Sequence, residues 1–421
     1  MLRRRKLLAG LTATLCPSPG HARSRRISHL LVRACWQSFS MGEVAQVAGL
    51  LQILQEELPK VTVTLWATNL ENGVGEWLKN LYPKVALVTG TTGDDGLPDQ
   101  PALQQAWKAA DFLMHGPAAT VVARNHLEAW RRKTGKPFGI YGVTLPITDE
   151  KLEALLSAAS FVWLRDGVSR AAAAKLRLPE SQIGFGPDSA FAMSHQNSKA
   201  ADDWLLRHDL DKRPFLCVVP KLRFTPYWQI YRRPPKYAEI AQADQNNQFQ
   251  ESDHQPLVDA LIRCLQIPDL HILICPEMPY EAEIGTKWIL QKLPEPLQSR
   301  CIVRSEPWLP DEAAATFAKA KCLLSLELLS CVVSAAAGTP AFHVCLPEDR
   351  KSGQMWRDVG FKHWIVDRDQ ASGELLADKL LTMMEDAPGN ENETKLTGAA
   401  KFIAERQHLV GEILREMMEP V

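Results

Sequence analysis

The stretch Lys321–Trp364 reads KCLLSLELLSCVVSAAAGTPAFHVCLPEDRKSGQMWRDVGFKHW. Cys322 to Leu326 is an apolar run of strand length, and Glu327 stands where that strand would end. Leu328 to Ala337 is small and apolar, as a helix packed tightly on a sheet must be. Gly338-Thr339-Pro340 stops it, because glycine accepts the left-handed backbone and proline cannot continue a helix. Ala341 to Leu346 is a second apolar strand, followed by a charged loop with Asp349, Arg350 and Lys351. A strand–helix–strand unit with a buried helix belongs to a parallel sheet. Ligands of such sheets sit beyond the carboxyl ends of the strands. Glu327 is thereby placed on one side of a cleft, with Arg350 and Lys351 on another.

The same alternation runs outward in both directions. Ile27–Ala34 is a buried-type strand, and Glu43–Leu58 carries apolar residues at a helical period. Strands follow at 61–66, 85–88, 111–114, 138–143 and 161–164, separated by helices at 75–81, 100–108, 123–134, 149–158 and 169–176. After a helix at 200–208, Phe215–Pro220 opens a second series, and Lys221–Gln250 reads as a polar insertion with aromatics and prolines. A helix is expected at 254–265, with Asp253-His254 at its N-terminus, and a strand at 270–275 ends near Glu277. The expected architecture is α/β: two Rossmann-like doubly wound domains facing across a cleft. The boundaries are a leader at 1–26, an N-terminal domain at 27–200, a C-terminal domain at 201–390 and a C-terminal helix at 391–421. Two facing domains of this kind resemble the GT-B arrangement of glycosyltransferases.

A chain of 421 residues is long for one core. Its net charge of −1 provides no global attraction to nucleic acid or anionic membranes, so neither is an expected partner and any positive potential must be local. The nine cysteines show no metal-ligand spacing and mostly sit in apolar runs. No metal and no cofactor are expected. The N-terminus, MLRRRK followed by LLAGLTATLC and PSPGHAR, has the basic, apolar and small-residue regions of a secretory signal. Arg4-Arg5 looks like a twin-arginine export signal; the alternative is a basic leader on a cytoplasmic protein. Its apolar part is too short for a permanent transmembrane span, and no other run of that length exists.

Several residues have the chemistry of a site. Ser40-Met41-Gly42-Glu43 precedes a helix whose free N–H groups would face the cleft, and Glu43 is placed either to bond a sugar or to complement the helix dipole. This turn is not a GxGxxG fingerprint, so no dinucleotide is proposed. His115 stands at a strand end as a general base, a sugar contact, or a structural histidine bonded to the loop. Arg165 ends another strand; it faces the cleft or pairs with Asp166, and Ser169 is placed to cap the helix that follows. Lys221 and Arg223 followed by Tyr227 and Trp228 offer charge for an anion and ring faces for a sugar; the alternative is a solvated loop. Together the cleft would hold Lys221, Arg223, Arg350 and Lys351 against Glu43, Glu277 and Glu327.

These elements resemble the polysaccharide pyruvyl transferase family. Its members carry a strand ending in Arg-x-His, a small-residue helix, a Gly-x-Pro stop, a strand and a basic loop before a Leu-Gly or Ile-Gly turn. Here the stop is Gly338-Thr339-Pro340, the basic loop holds Arg350 and Lys351, and the turn is Val359-Gly360. Arg165-Asp166-Gly167-Val168-Ser169 is similar to the family's Arg-Asp-x-x-Ser. The family's Arg falls on Glu327 and its His on Leu329. An uncharacterised bacterial branch with Met-Glu-Met-His-Ser and Ser-Lys-Gly-x-Met-Trp-x-Asp-x-Gly is more similar, but its His too is Leu329 here. The resemblance implies a transferase moving a pyruvyl or related group from phosphoenolpyruvate, or another anionic donor, to a cell-envelope sugar. Glu327 and His115 become the catalytic candidates, and Glu43, Arg165, Lys221, Arg223, Tyr227, Glu277, Arg350 and Lys351 the substrate-binding ones. The alternatives are a catalytically lapsed sugar-binding homologue, which Leu329 and export away from phosphoenolpyruvate would suit, and a GT-B glycosyltransferase using a nucleotide sugar.

Overall fold

The computed structural model describes residues 27–145, 147–176, 178–385 and 391–418. The expected leader at 1–26 lies outside them. The first series is β1 (His29–Arg33), α1 (Met41–Glu57), β2 (Thr62–Ala67), α2 (Val74–Leu81), β3 (Ala86–Thr89), α3 (Pro101–Ala109) and β4 (Phe112–His115). It continues through α4 (Arg124–Thr134), β5 (Phe138–Val143), α5 (Glu150–Ala158), β6 (Val162–Leu164), α6 (Gly167–Ala173) and β7 (Ile183–Phe185). These strands form one parallel sheet in the order β3-β2-β1-β4-β5-β6-β7. Helix α7 (Ser198–Arg207) leads into the second series.

That series runs β8 (Phe215–Val219), α8 (Tyr227–Ile230), α9 (Tyr237–Cys264), β9 (His271–Ile274), α10 (Glu281–Trp288), α11 (Glu295–Gln298) and β10 (Cys301–Val303). Then come α12 (Pro310–Phe317), β11 (Leu323–Ser325), α13 (Leu328–Ala336), β12 (Ala341–Cys345), α14 (Arg350–Trp356), β13 (Ile365–Asp367), α15 (Gly373–Met384) and α16 (Glu391–Met418). Its sheet, also parallel, is ordered β10-β9-β8-β11-β12-β13. The central strands β1, β4, β8, β11 and β12 are almost wholly buried, which is why they read as continuous apolar runs. The order reverses beside β1 and beside β8, the positions where such sheets open a crevice.

Several expectations change. The segment expected as an insertion at Lys221–Gln250 is mostly helical, and Asp253-His254 lies well inside α9 instead of opening a helix. Ala238, Glu239, Ala241 and Gln242 favour helix without an apolar stripe, because the first turns of α9 bury no apolar side chain. Pro256 sits within α9. Its missing N–H leaves the Ser252 carbonyl free, and the Arg368 guanidinium bonds that carbonyl and Asp253 O. Ser169 does not cap α6: Asp166 does, accepting from Ser169 N at 2.7 Å, while Ser169 Oγ bonds Asp166 Oδ2 and Leu145 N. Arg350 and Lys351 open α14, so the expected basic loop is shorter. Strands β7 and β13, three residues each, are too short to show a pattern.

Candidate functional site

A cavity of about 300 Å³ lies where the two sheets face each other. Its wall is built from residues that follow strand ends: Ser40 and Glu43 after β1, Arg165 after β6, Lys221 and Arg223 after β8, Glu277 after β9, Glu327 after β11 and Asp349 after β12. Helices α1 and α13 meet here N-terminus to N-terminus. Ser40 caps α1, accepting from Glu43 N at 3.2 Å, and its hydroxyl reaches Glu277 Oε1 at 3.3 Å. Met41 N donates to Glu277 O at 3.1 Å. Gly42 makes the approach feasible, since a Cβ there would stand 2.4 Å from Leu329 Cβ and 2.7 Å from Glu277 Oε1.

The cavity is rich in carboxyls that burial holds back from ionising. Burial pushes Glu43 up to about 7, with Arg165 opposing the rise and Glu327 adding to it; Glu43 Oε2 is buried without a partner. Burial pushes Glu327 up to about 8 against the pull of Lys221, and Glu277 and Asp349 raise it further. Glu277 is also raised by burial, although Ser330 Oγ donates to its Oε2 at 2.7 Å. Behind it, the buried Glu281 accepts from Glu277 N at 2.6 Å and Met278 N at 3.1 Å, fixing that loop.

The cations lining the cavity are all engaged. Lys221 Nζ lies 2.8 Å from Asp349 Oδ2 and 3.1 Å from Glu327 Oε2. Burial works against its charge, but these carboxylates overcome that and raise its pKa. Arg223 holds Asp253 through two bonds of 2.7 and 2.9 Å and lies over the Phe249 ring at 3.7 Å. Arg165 bonds Asp188 at 2.9 Å and Thr144 at 3.0 Å. Tyr227 OH accepts from Gln37 Nε2 at 2.7 Å.

The structure therefore brings Glu43, Arg165, Lys221, Arg223, Tyr227, Glu277 and Glu327 to one cavity. It does not bring His115, Arg350 or Lys351 there. His115 is fully buried beside Trp36, with ring centroids 5.1 Å apart, and its Nε2 accepts from Ala123 N. Burial, with the Arg33 charge near it, pushes His115 down to about 3, so the ring is neutral and serves the loop. Arg350 turns to Asp367 and Asp369, and Lys351 is exposed in the first turn of α14. Sequence reasoning passed over Asp349, although it follows the same strand as Arg350 and Lys351. Gln242 also lines the cavity; it reaches the site only because α9 begins so early. Among the described residues no group of three or more His, Cys, Asp or Glu is arranged to hold a metal ion, and no helix is long and apolar enough to cross a membrane.

Residues 41–344 match the family model described as polysaccharide pyruvyl transferase. No curated protein matches the chain in sequence. Among solved structures, MnaA from S. aureus in complex with UDP is similar at 11% identity and a TM-score of 0.56, covering 94% of this chain and 99% of that one. A glycosyltransferase from Rickettsia africae has 9% identity and a TM-score of 0.55, covering 94% and 100%. HepE from Anabaena in complex with UDP-glucose has 11% identity and a TM-score of 0.55, covering 92% and 99%. At these identities the likeness concerns the fold, two parallel sheets with a cleft between them in the GT-B manner.

Proposed function

The chain belongs to the polysaccharide pyruvyl transferase family, and on that premise we propose that it transfers a pyruvyl group from phosphoenolpyruvate to sugar hydroxyls in the cavity between its sheets. The observation that carries this reading is the pair Glu43 and Glu327, which line one cavity from opposite sheets and are both held back from ionising by burial. General acid–base work is most effective with groups poised near the working pH. Ketal formation needs one proton delivered to the enol methylene carbon and two removed from the attacking hydroxyls. Glu327, at the N-terminus of α13, delivers the first. Glu43 takes the proton of the hydroxyl that bonds to the central carbon. The bond to phosphate then breaks, the proton held by Glu43 leaving with the phosphate, and the second hydroxyl closes the ketal, its one proton returning to Glu327. Glu327 stands where the family carries Arg and Leu329 where it carries His, so the proton work falls to the carboxyls. The donor's phosphate needs a cation, and Lys221 supplies it by exchanging a carboxylate partner. The polysaccharide in the family's description supports a cell-envelope glycan as acceptor.

A second reading, a catalytically lapsed sugar-binding homologue, is favoured by one observation: each cation lining the cavity already holds a carboxylate. One assay separates the two. Phosphoenolpyruvate and a panel of sugar acceptors are incubated with the protein, and phosphate release and acceptor mass are followed, with UDP-glucose as the competing donor. The first reading expects a pyruvyl adduct, reduced about 10²–10⁴-fold by Glu327→Gln or Glu43→Gln. Sugar binding without turnover from either donor would overturn it in favour of the second.

A further inference from the structure

A second cavity of about 280 Å³ lies on the other side of the wall that bounds the first. The same two connections form both. In the β1–α1 connection, Ser40 and Glu43 face the first cavity while Ser38, Phe39 and Met41 face the second. In the loop after β9, Glu277 and Met278 face the first and Pro279 the second. Its far side is Pro307, Trp308 and Pro310. The Trp308 ring is fixed by its indole N–H, which donates to Pro276 O at 2.8 Å. Polar groups stand among these apolar faces: Asn72, whose amide reaches Ser38 Oγ at 3.3 Å, and Glu312, which pairs with Arg304 at 2.7 Å.

A line of rings joins the two cavities. Tyr227 lines the first, Tyr231 lies stacked near it at 6.3 Å, and Phe39 of the second cavity meets Tyr231 edge-on at 5.4 Å. Tyr231 is 47% exposed. Tyr231 thus presents ring surface to solvent between the two cavities, available to a ligand that spans them. We infer that the second cavity and this run of rings form a subsite that holds further residues of the acceptor glycan beyond the sugar in the first cavity. Ring faces cover the C–H faces of pyranoses while Asn72, Ser38 and Glu312 meet their hydroxyls, the composition expected of a sugar site. A lipid tail would use none of the hydrogen-bonding capacity that those three polar groups have left over.

This inference rests on the proposed acceptor reading, and its test keeps the two apart. Binding of manno-, galacto- and gluco-oligosaccharides of one to four residues is measured by calorimetry with the full chain, alongside pyruvyl transfer to the same sugars. The expected result is that at least one series gains roughly tenfold in affinity between one and three residues. Tyr231→Ala and Phe39→Ala each remove most of that gain and leave monosaccharide binding unchanged. Because Tyr231 is exposed, its variant folds even if the Phe39 variant does not. Affinity independent of chain length, a gain that survives Tyr231→Ala, or no binding of any probe overturns the subsite. Length-dependent binding without pyruvyl transfer would instead overturn the transferase reading and leave the subsite standing.

Discussion

Glu43 is partly buried, with one carboxyl oxygen out of water and unpartnered, a placement that costs stability whenever the group ionises. Its pKa rises on folding from the ordinary 4.5 to about 7, so between those values the folded chain holds more protons than the unfolded one. Stability therefore falls as pH rises through that window. Glu43→Gln should be more stable than wild type at pH 8.5 by roughly 2–3 kcal/mol, the difference closing near pH 4.5. Urea midpoints at the two pH values check this, and a variant destabilised equally at both would show that Arg165 holds Glu43 ionised. At Leu329, which lines the cavity beside Gly42, Leu329→His should raise pyruvyl transfer by about 10²–10⁴-fold, because imidazole moves protons near neutral pH and leucine cannot. Unchanged turnover would leave Glu327 as the sole proton donor. Glu327 was legible in the sequence because a carboxylate between an apolar strand and a small-residue helix has few structural uses. His115 offered the same signal, but its role was decided by the packing of Trp36 and the backbone of residue 123, which no spacing records.

The helix pair α1–α13 is the element on which this geometry depends. Their N-termini touch because residue 42 lacks a side chain. Gly42→Ala places a methyl against Leu329 Cβ and the Glu277 carboxyl, and backbone on both sides must shift. The expected cost is about 1–3 kcal/mol, with a larger loss of activity than that stability change explains, since Glu43, Glu277 and Glu327 all move. The matched control is Gly398→Ala in α16, where a Cβ meets nothing within 4 Å and helix propensity predicts a gain of about 0.5–1 kcal/mol. Thermal melts with activity measured on both variants decide it; equal behaviour of the two would remove Gly42 from the argument. The strand–helix–strand unit around α13 was readable because burial made its residues small and apolar. The start of α9 was not. Its first turns bury no apolar side chain, so they carry no periodicity, and only their helix-forming composition hinted at the extension.

Across the whole molecule, the alternation of strands and helices showed two parallel sheets in the sequence, but not what ties them. Helix α16 does so. It belongs to the end of the chain, yet it lies along α1 of the first series: Glu57 bonds Arg415 at 2.7 Å and His408 at 3.0 Å, and Gly411 sits against the Glu57 side chain. It also packs on the turn at Val359–Phe361 in the second series. An amphipathic helix announces that it covers something, and its pattern does not say which surface. The energetic weight is in its apolar face. Ile403, Val410 and Leu414 are nearly fully buried, and at roughly 1.5–3 kcal/mol each they match a large part of the net stability of a typical domain, about 5–15 kcal/mol. The ion pairs at Glu57 are partly exposed and should contribute no more than about 1 kcal/mol. Ending the chain after Glu385 should therefore abolish cooperative folding or leave the two sheets melting separately, whereas Arg415→Ala should barely change the melt. Calorimetry on the two variants distinguishes the outcomes. A truncated chain that melts in one transition within a few degrees of wild type would show that the α1–α13 contact alone holds the cavity together.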